Sequence, residues 1–516
     1  MSLAHNALSD GPLVLTGGTL ADGTGGPLRI GNVLIADGHI VSVGSFKVPE
    51  QARILDCTGC IVAPGFIDVH SHSDLQVIEG KREKLLQGVT AEVVGNCGFS
   101  AYPQRGHAEE LRAFANGIFC GGDTWGWDSA AGYLDQAGAK AAVSSVYSLI
   151  GHGSLRIAVA GNQMTPLSGD AIALMEQLLR DAFAQGAIGF STGLMYAPGS
   201  SAPQAELERL CCVVAEHGKI YCTHMRDYGF HLLEAIDEQI VLAERTGCRL
   251  QISHLQAVGR ANRDLNERAL ERIEEAHARG VDIAFDCYPY IAGSTVMTQL
   301  LPQWALEGGT QVLLKRLATR EDRDRMEQEM LAGMANTWDE LLVSAVASQA
   351  NAATVGKTLE ELSVLRGQRP AEVVFDLLLE EEGQVNVLEF NQSEENLRRN
   401  LNHPLAIIIS DGFYVKGRPH PRLHGTFPEF LGNLCRDRKW MSTETAIHKI
   451  TGLAADRFGL SRRGYLRERC IADVTVYDPL TIRSKATYEN PSESPEGIQY
   501  VLRAGQFLLG QASPAA

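Results

Sequence analysis

Positive charge is scarce in this sequence relative to negative charge. Its 46 lysine and arginine residues face 62 aspartate and glutamate residues, which gives a formal net charge of −16 and a pI near 5.4. Surfaces that bind nucleic acids need clustered lysine and arginine to contact phosphates. The composition therefore argues against nucleic acid as a partner and leaves a small-molecule substrate as the expected one.

Long apolar runs are absent as well. No stretch of about 18 apolar residues occurs, which is the length that a membrane-spanning helix needs. The first residues, "MSLAHNALSDGPLVLTGG", lack a basic segment followed by a sustained apolar stretch, so we expect neither a secretory signal nor a membrane anchor. The eleven cysteines have no regular spacing, as in proteins of reducing compartments. We therefore expect a cytoplasmic protein, whose oligomeric state the sequence does not indicate.

The two ends of the chain share a pattern of short apolar runs separated by glycine turns. Examples are "LVLTGGTL" and "NVLIADGHIVSVG" near the start, and "CIADVTVYDP" and "IQYVLRAGQFLLG" near the end. Such runs predict small antiparallel strands. We expect residues 1–62 and 456–516 to form together one β-sandwich module.

Strand-like runs alternate with helical patterns in the middle of the chain. Eight such runs occur, from "CIVAPGFIDVHSH" through "GVTAEVVGNCG", "AAVSSVYSLIGH", "GAIGFSTG", "GKIYCTH", "RLQISH" and "VDIAFDCYPY" to "LAIIISDG". Apolar residues at three- and four-residue spacing predict helices over 205–217, 231–246 and 266–279. Eight βα units predict an α/β fold of the TIM (β/α)8 barrel type over residues 63–455. The charged helix formers of about 296–352 predict an inserted helical subdomain.

Six side chains with metal-binding chemistry stand at or next to the ends of these predicted strands. The carboxyl ends of barrel strands converge on one mouth, so residues far apart in sequence become neighbours there. Imidazoles, a thiol and a carboxylate are ligand types that zinc accepts, at a number that serves one or two ions. The six residues are His70, His72, Cys97, His224, His254 and Asp411.

Each of these residues has an ordinary alternative when taken alone. His224 and His254 have the context of core histidines, Cys97 that of a small buried apolar residue, and Asp411 that of a turn residue. The alternatives do not explain why all of them fall at strand ends. The pattern therefore predicts a metal site.

Several motifs of the sequence resemble those of a known family. The segments "GFIDVHSHSD", "GNCGFS", "STGLMYAPG", "THMR", "ISHL", "YPYIAGST" and "SDGFYVKGRPHPRLHGTFPEFLG" resemble the amidohydrolase superfamily, and within it the D-aminoacylase (N-acyl-D-amino-acid deacylase) family. The resemblance runs from about residue 10 to residue 480. It implies a barrel flanked by a β-sandwich and an insertion near the active site.

The resemblance also implies roles for individual residues. Cys97, His224 and His254 correspond to the ligands of one tightly bound zinc ion. His70, His72 and Asp411 correspond to the residues around a second, weaker metal position, with Asp411 also the catalytic acid and base. Family positions that touch substrate correspond to Tyr196, Tyr288 and Ser294. For the two tyrosines, packing beneath a loop is an equally ordinary role.

Two departures from the family pattern concern substrate recognition. Gln256 stands where the family often has a lysine that meets the substrate carboxylate, and Arg226-Asp227-Tyr228 replaces Arg-Asn-Glu. Glutamine is uncharged, although its amide still donates a hydrogen bond. Recognition of a free carboxylate then depends on an arginine such as Arg226, Arg260 or Arg422.

Three hypotheses follow from the sequence. The first is an enzyme that hydrolyses the linear amide bond of N-acyl-D-amino acids with an apolar side chain, an expectation suggested by Val296 and Met297. The second retains the metal and changes the substrate to a cyclic amide, a small peptide or a neutral amide. The third is a barrel that binds a ligand or partner without catalysis, which the intact ligand set disfavours.

Overall fold

Eight parallel strands form the central sheet of the molecule. The computed structural model describes residues 11–121, 125–140 and 143–510. In chain order the strands are β1 (Phe66–Asp68), β2 (Val89–Val94), β3 (Ser145–Gly151), β4 (Gly189–Gly193), β5 (Ile220–His224), β6 (Arg249–Ile252), β7 (Ile283–Cys287) and β8 (Ala406–Ile408). Each strand pairs with the next along the chain. The predicted third strand begins at residues 141–142, which lie outside the described residues.

Backbone hydrogen bonds beyond the strand ends join β8 to β1. The amide of Asp411 donates to the carbonyl of His70 at 2.9 Å, and the amide of His72 donates to the carbonyl of Gly412 at 3.1 Å. The sheet thereby becomes an almost closed barrel, which confirms the predicted TIM-barrel fold. The closure lies among the predicted metal ligands.

Helices pack around the barrel because their apolar faces are buried against its strands. The three helices that were predicted from periodicity begin and end within one residue of the observed Gln204–Glu216, Leu232–Thr246 and Leu265–Ala278. The other helices outside the insertion are Gln76–Glu79, Ala108–Ala115, Ala130–Lys140, His152–Ala160, Gly169–Ala184, Glu394–Asn402, Arg422–Pro428, the π-helix Glu429–Asp437, Thr443–Lys449 and Gly452–Phe458. Among the described residues, no helix combines the length and apolarity needed to cross a membrane.

A second eight-stranded sheet is built from both ends of the described chain. Its strands are Leu13–Leu20, Arg29–Ala36, His39–Gly44, Arg53–Asp56, Ile61–Pro64, Val474–Tyr477, Ile498–Arg503 and Gln506–Leu509. The outermost parts of the predicted module, residues 1–10 and 511–516, lie outside the described residues. The expectation of purely antiparallel pairing is wrong, because Leu13–Leu20 pairs in parallel with Arg53–Asp56 and with the start of Ile61–Pro64.

The run that was predicted as the first barrel strand contains two strands. Ile61–Pro64 belongs to the terminal sheet and pairs with Val474–Tyr477, whereas Phe66–Asp68 belongs to the barrel. Gly65 separates them. A Cβ atom at Gly65 would lie 2.1 Å from the Thr90 hydroxyl oxygen, so the chain passes from one sheet to the other where only glycine fits.

The inserted subdomain is larger than the range of about 296–352. Its three-stranded sheet is formed by Gly293–Val296, Leu341–Val346 and Val385–Glu389, and its helices are Gln303–Leu306, Thr310–Leu317, Arg320–Gly333, Leu359–Arg366 and Pro370–Glu380. The last strand pairs with both of the others, which ties residues as far as Glu389 to this unit. A separate apolar core, from Met297 to Val387, stabilises it.

Candidate metal centre

Four of the predicted ligands bring sulfur and nitrogen atoms together at the barrel mouth. Cys97 follows β2, His224 ends β5, and His254 follows β6. The Cys97 Sγ atom lies 3.3 Å from Nε2 of His70 and 3.5 Å from Nε2 of His254. The His254 Nε2 atom lies in turn 3.0 Å from Nδ1 of His224. Side chains from four strand ends therefore face one point.

The remaining ligands form a second group on the other side of His70. Oδ1 of Asp411 lies 3.4 Å from Nε2 of His70 and 3.2 Å from Nε2 of His72. Donor atoms of His70, His72 and Asp411 all lie within 4.8 Å of one another, as do those of His70, Cys97 and His254. His70 thus belongs to both groups, and the six predicted ligands make one cluster, in which His224 is half-buried and the other five are buried.

Three residues of this cluster have a backbone conformation that L-residues rarely adopt. The φ angles of Cys97, His254 and Asp411 are 52°, 36° and 49°. A non-glycine residue in this left-handed region costs on the order of 1–2 kcal/mol. Such strain persists only where the surrounding structure enforces it, and it is concentrated at functional sites. In these three residues, the left-handed conformation directs a side chain that follows a strand toward the centre of the ligand cluster.

Electrostatics favour the ionised forms of the anionic ligands. Burial alone raises the pKa of the Cys97 thiol, but the neighbouring imidazoles of His70, His224 and His254 outweigh it and hold that pKa well below its usual value. Burial likewise opposes ionisation of Asp411, whose pKa is nevertheless well below its usual range because of the charges of Arg422 and His70. The cluster therefore presents a thiolate and a carboxylate near neutral pH.

Asp286, a residue that sequence reasoning missed, orients two of the predicted ligands. This buried carboxylate on β7 lies 3.3 Å from Nδ1 of His70 and accepts a 2.7 Å hydrogen bond from the amide of His254. A carboxylate on the far nitrogen of a ligating imidazole fixes its tautomer and its orientation. The signal was present in "IAFDC", where one acidic residue interrupts an otherwise apolar strand.

A cavity of about 270 Å³ opens above the cluster. The predicted substrate residues Tyr196, Gln256, Tyr288 and Ser294 all line it, together with Arg422. The Tyr288 hydroxyl donates to Oε1 of Gln256 at 3.0 Å, and the Arg422 guanidinium lies 4.6 Å from the centre of the Tyr288 ring. The tyrosines, the glutamine and the arginine therefore surround the space in front of Asp411.

Arg226 lies outside this cavity, in contrast to the other predicted substrate residues. Its Nε atom lies 2.8 Å from Oε1 of Glu238, and its two terminal nitrogens donate to the carbonyls of Ser200 and Ala202. Arg260 is also engaged elsewhere, with Asp339 and Glu340. Of the three arginines considered from the sequence, Arg422 alone lines the cavity, where its Nη1 atom lies 3.0 Å from Oδ2 of Asp411.

Comparisons with known proteins identify the family of the chain. A model described as the amidohydrolase family matches residues 53–509. The chain is 34% identical to D-aminoacylase of Alcaligenes xylosoxydans xylosoxydans, over 95% of this chain and 92% of that protein. It is also 34% identical to N-acyl-D-glutamate deacylase of the same organism, over 98% and 94% of the two chains.

A solved structure extends the likeness to three dimensions. The fold matches the crystal structure of N-acyl-D-glutamate deacylase from Bordetella bronchiseptica, in complex with zinc and a phosphonate inhibitor, with a TM-score of 0.83. The two chains are 30% identical, and 97% of each is covered. The match includes the barrel and the sheet of the two termini together.

Proposed function

Because the chain belongs to the amidohydrolase family, in its D-aminoacylase branch, we propose that it hydrolyses the amide bond of N-acyl-D-amino acids. The products are a carboxylate and a free D-amino acid. One observation carries the proposal: Cys97, His224 and His254 meet Asp411 beneath a cavity large enough for a small substrate. Relatives named for D-aminoacylase and N-acyl-D-glutamate deacylase activity support the substrate class.

The donor atoms fit zinc. Typical zinc–sulfur and zinc–nitrogen bond lengths in a tetrahedron place neighbouring ligand atoms about 3.3–3.6 Å apart. Within the proposed ligand set, the Cys97 Sγ atom lies 3.5 Å from Nε2 of His254, in agreement with these edges, and Nδ1 of His224 lies 3.0 Å from the same nitrogen, slightly closer than a tetrahedral edge. We therefore assign one tightly bound zinc ion to Cys97, His224 and His254, and a weaker second position to His70, His72 and Asp411. When bound, zinc supplies a Lewis acid that lowers the pKa of water and polarises a carbonyl group.

Asp411 transfers the proton in this proposal. Its carboxylate accepts a proton from the attacking water and later delivers that proton to the nitrogen of the leaving amine. Arg422 and His70 keep Asp411 ionised before the reaction, as its lowered pKa indicates. The same carboxylate lines the substrate cavity, within reach of a scissile amide that enters from there.

Residues that line the cavity around Asp411 are proposed to bind the free carboxylate of the substrate. Gln256 lacks the charge of the lysine that the family often has, and Arg422 supplies a guanidinium on the same cavity. Tyr288 lies between them, because its hydroxyl contacts Gln256 and its ring faces Arg422. Tyr196 and Ser294 complete this side of the cavity, whereas Arg226 acts through structure rather than through substrate contact.

Apolar residues of the cavity support a substrate whose side chain has an apolar stem. These residues include Leu300, Leu301, Met330 and Met334. Among the described residues that line the cavity, Arg422 is the only lysine or arginine, and it is paired with Asp411. An acidic side chain, such as that of D-glutamate, would find no second cation there.

A second candidate is favoured by Gln256. An uncharged amide in place of the lysine suits a neutral amide, a small peptide or a cyclic amide as the substrate. The test is a screen of the zinc-loaded protein against N-acetyl-D-methionine, N-acetyl-L-methionine, the corresponding amides and a cyclic ureide, with amino acid release measured by chromatography. We expect release of D-methionine. Ring opening of the ureide alone, or cleavage of the amides alone, would replace the first proposal by the second.

A cytoplasmic location remains our proposal for the protein. All eleven cysteines are free thiols, including pairs close in sequence such as Cys57 and Cys60. This state agrees with a reducing compartment. Fractionation of cells that produce the protein from its own gene tests the location, and recovery outside the cytoplasm would overturn it.

A further inference from the structure

We propose that Glu389 and Asn336 bind the positively charged end of the substrate side chain, as in an N-acyl-D-lysine. The inference rests on the proposed function and adds to it the group on the substrate side chain that the cavity recognises. Both residues belong to the inserted subdomain or to its edge, and both line the cavity that opens above Asp411.

Glu389 lines the same cavity as Asp411, the predicted catalytic carboxylate. It ends the strand Val385–Glu389 and lies opposite Gly293 of the neighbouring strand. Burial raises the pKa of Tyr288, and the carboxylates of Asp411 and Glu389 raise it further, so both carboxylates act on the same phenol. A substrate held at Tyr288 therefore lies within electrostatic range of Glu389.

The charge of Glu389 has no cationic partner among the described residues. Its side chain accepts a hydrogen bond from the amide of Asn391 at 3.1 Å, and the side chain of Asn336 lowers its pKa from close by. Burial raises the pKa of Glu389 to about 7, and no lysine or arginine acts in the opposite direction. Glu389 is half-buried, and a carboxylate that is partly removed from water without a counterion would be stabilised by a cation from the substrate.

The two other acidic residues on the outer part of the cavity are already engaged. Asp227 accepts hydrogen bonds from the amides of Gly229 and His231. Glu329 accepts from Nε of Arg325 and from the Trp304 indole, each at 2.9 Å. Glu329 is thus paired with an arginine, whereas Asp227 and Glu389 have no cationic partner among the described residues, and Glu389 is the one of these two that lies beside the unpaired oxygen of Asn336.

Asn336 supplies an independent observation. Asn336 is only 7% exposed, and its side chain lies close enough to Glu389 to lower the pKa of that carboxyl group. Its Oδ1 atom is buried and has no hydrogen-bond donor. An ammonium group has three N–H donors, enough to satisfy both this oxygen and the Glu389 carboxylate. A buried acceptor without a donor next to an uncompensated carboxylate is the pattern that a bound cation completes.

The barrel holds the Asn336 loop in place. A Cβ atom at Gly259 would lie 2.3 Å from the carbonyl oxygen of Ala335, and Gly259 has a φ of +89°. The loop that carries Asn336 therefore packs directly on the barrel loop, in a manner that glycine alone permits. The acceptor group is fixed relative to the metal cluster rather than carried on a separate surface.

The apolar residues of the cavity match a lysine-type side chain. Leu300, Met330 and Met334 line the same cavity as Asp411, Glu389 and Asn336. A lysine side chain packs its methylene groups along an apolar surface while its ammonium group reaches a polar partner. The cavity therefore suits a long aliphatic stem that ends in a cation.

The experiment compares two substrates that differ only at the end of the side chain. N-acetyl-D-lysine and N-acetyl-D-norleucine share the same stem, and only the first carries the ammonium group. The ratio of their kcat/KM values measures recognition of the charge. A hydrogen bond to a charged group is worth roughly ten-fold or more in specificity, so we expect a ratio above about 10 for the parent protein.

Two variants locate the effect. Glu389→Gln preserves the size of the side chain and removes its charge, so the lysine-to-norleucine ratio should fall by about ten-fold or more. Asp339→Asn makes the same change on an exposed residue of the inserted subdomain outside the cavity, and its ratio should equal that of the parent. An unchanged ratio in a folded, zinc-loaded Glu389→Gln protein would overturn the inference.

Binding of the product amino acids tests the inference independently of the proposed function. If the parent protein hydrolyses no N-acyl-D-amino acid, the proposed function is wrong. In that case, calorimetric titration with D-lysine and D-norleucine still tests the acceptor group. Tighter binding of D-lysine to the parent, and equal binding of both to Glu389→Gln, would support the acceptor group. Equal binding of both amino acids to the parent would overturn it.

Discussion

The two halves of the ligand cluster differ in the groups that contact their ligand atoms. The sulfur half consists of Cys97, His224 and His254, whose donor atoms face one another without an arginine among their contacts. In the carboxylate half, Asp411 is shared between His70, His72 and Arg422 at 3.0–3.4 Å. A thiolate that faces imidazole nitrogens suits metal binding, whereas a carboxylate with several hydrogen-bond partners suits proton transfer. The comparison assigns metal retention to one half and proton transfer to the other.

Removal of the sulfur half should have the largest effect. Cys97→Ala deletes the thiolate, which supplies both a ligand atom and a negative charge, so the tightly bound ion and the activity should be lost together. Elemental analysis of the purified protein, with turnover measured on the same sample, checks this. Cys287→Ala removes another buried thiol at the end of β7 and serves as the control. A Cys97→Ala protein that keeps its full metal content would remove Cys97 from the site.

Neutralising the carboxylate half should leave the metal in place. Asp411→Asn preserves the shape of the side chain but removes the base, so turnover should fall by roughly 100-fold or more. The ion in the sulfur half should remain at about one per chain. Near-normal turnover would make Asp411 a turn residue, and simultaneous loss of the tight ion would mean that the two halves act as one.

A new charge beside the cluster sharpens the comparison on the substrate side. Gln256→Lys places a cation next to Tyr288 and removes the oxygen that now accepts a hydrogen bond from the Tyr288 hydroxyl group. Substrates with a free carboxylate should gain about ten-fold over neutral amides of the same shape. Gln256→Met, uncharged and of similar length, is the control. If the folded, zinc-loaded lysine variant keeps the preference of the parent, Gln256 does not bind substrate, and Arg422 alone recognises the carboxylate.

The smallest effect is expected from pH. Burial raises the pKa of Glu389 to about 7, so this group is mostly neutral below pH 7 and charged above it. Tyr196 and Tyr288 face it, and both stay neutral because burial raises their pKa. The lysine-to-norleucine ratio should therefore rise severalfold between pH 6 and pH 8 in the parent and stay constant in Glu389→Gln. A parallel rise in both proteins would assign the pH dependence to another group.

The same shift predicts a change in stability. A carboxyl group whose pKa is higher in the folded state favours folding below its unfolded pKa of about 4.5, and this contribution is lost as pH rises through about 7. The thermal midpoint of the parent should therefore fall relative to that of Glu389→Gln between pH 5 and pH 8. Differential scanning fluorimetry at both pH values measures this difference, and an equal change in both proteins would contradict the shifted pKa.

The barrel and its family were predictable because their signals are local and repeated. Each strand is an apolar run, and residues such as His224 and His254 come at the end of theirs. The convergence of strand ends is a property of the fold, so the sequence order of these ligands sufficed to predict that they meet. The structure confirms the barrel and the module of the two termini.

Other features depend on contacts that a local pattern does not contain. The change of sheet at Gly65 results from its approach to Thr90, and the extent of the insertion results from the pairing of Val385–Glu389 with two distant strands. The partners of Arg226 and the acceptor group of Glu389 and Asn336 likewise come from different parts of the chain. Long-range contacts of this kind decide which arginine lines the cavity, and a single sequence does not reveal them.

The most direct test of this account is a zinc titration of metal-free protein, with hydrolysis of N-acetyl-D-methionine followed at each step. If the sulfur half holds the ion on which the reaction depends, activity should rise with zinc and reach its maximum at about one equivalent per chain. Cys97→Ala should gain no activity at the same zinc concentrations. Full activity without zinc, or activity that begins only with the second equivalent, would contradict the account.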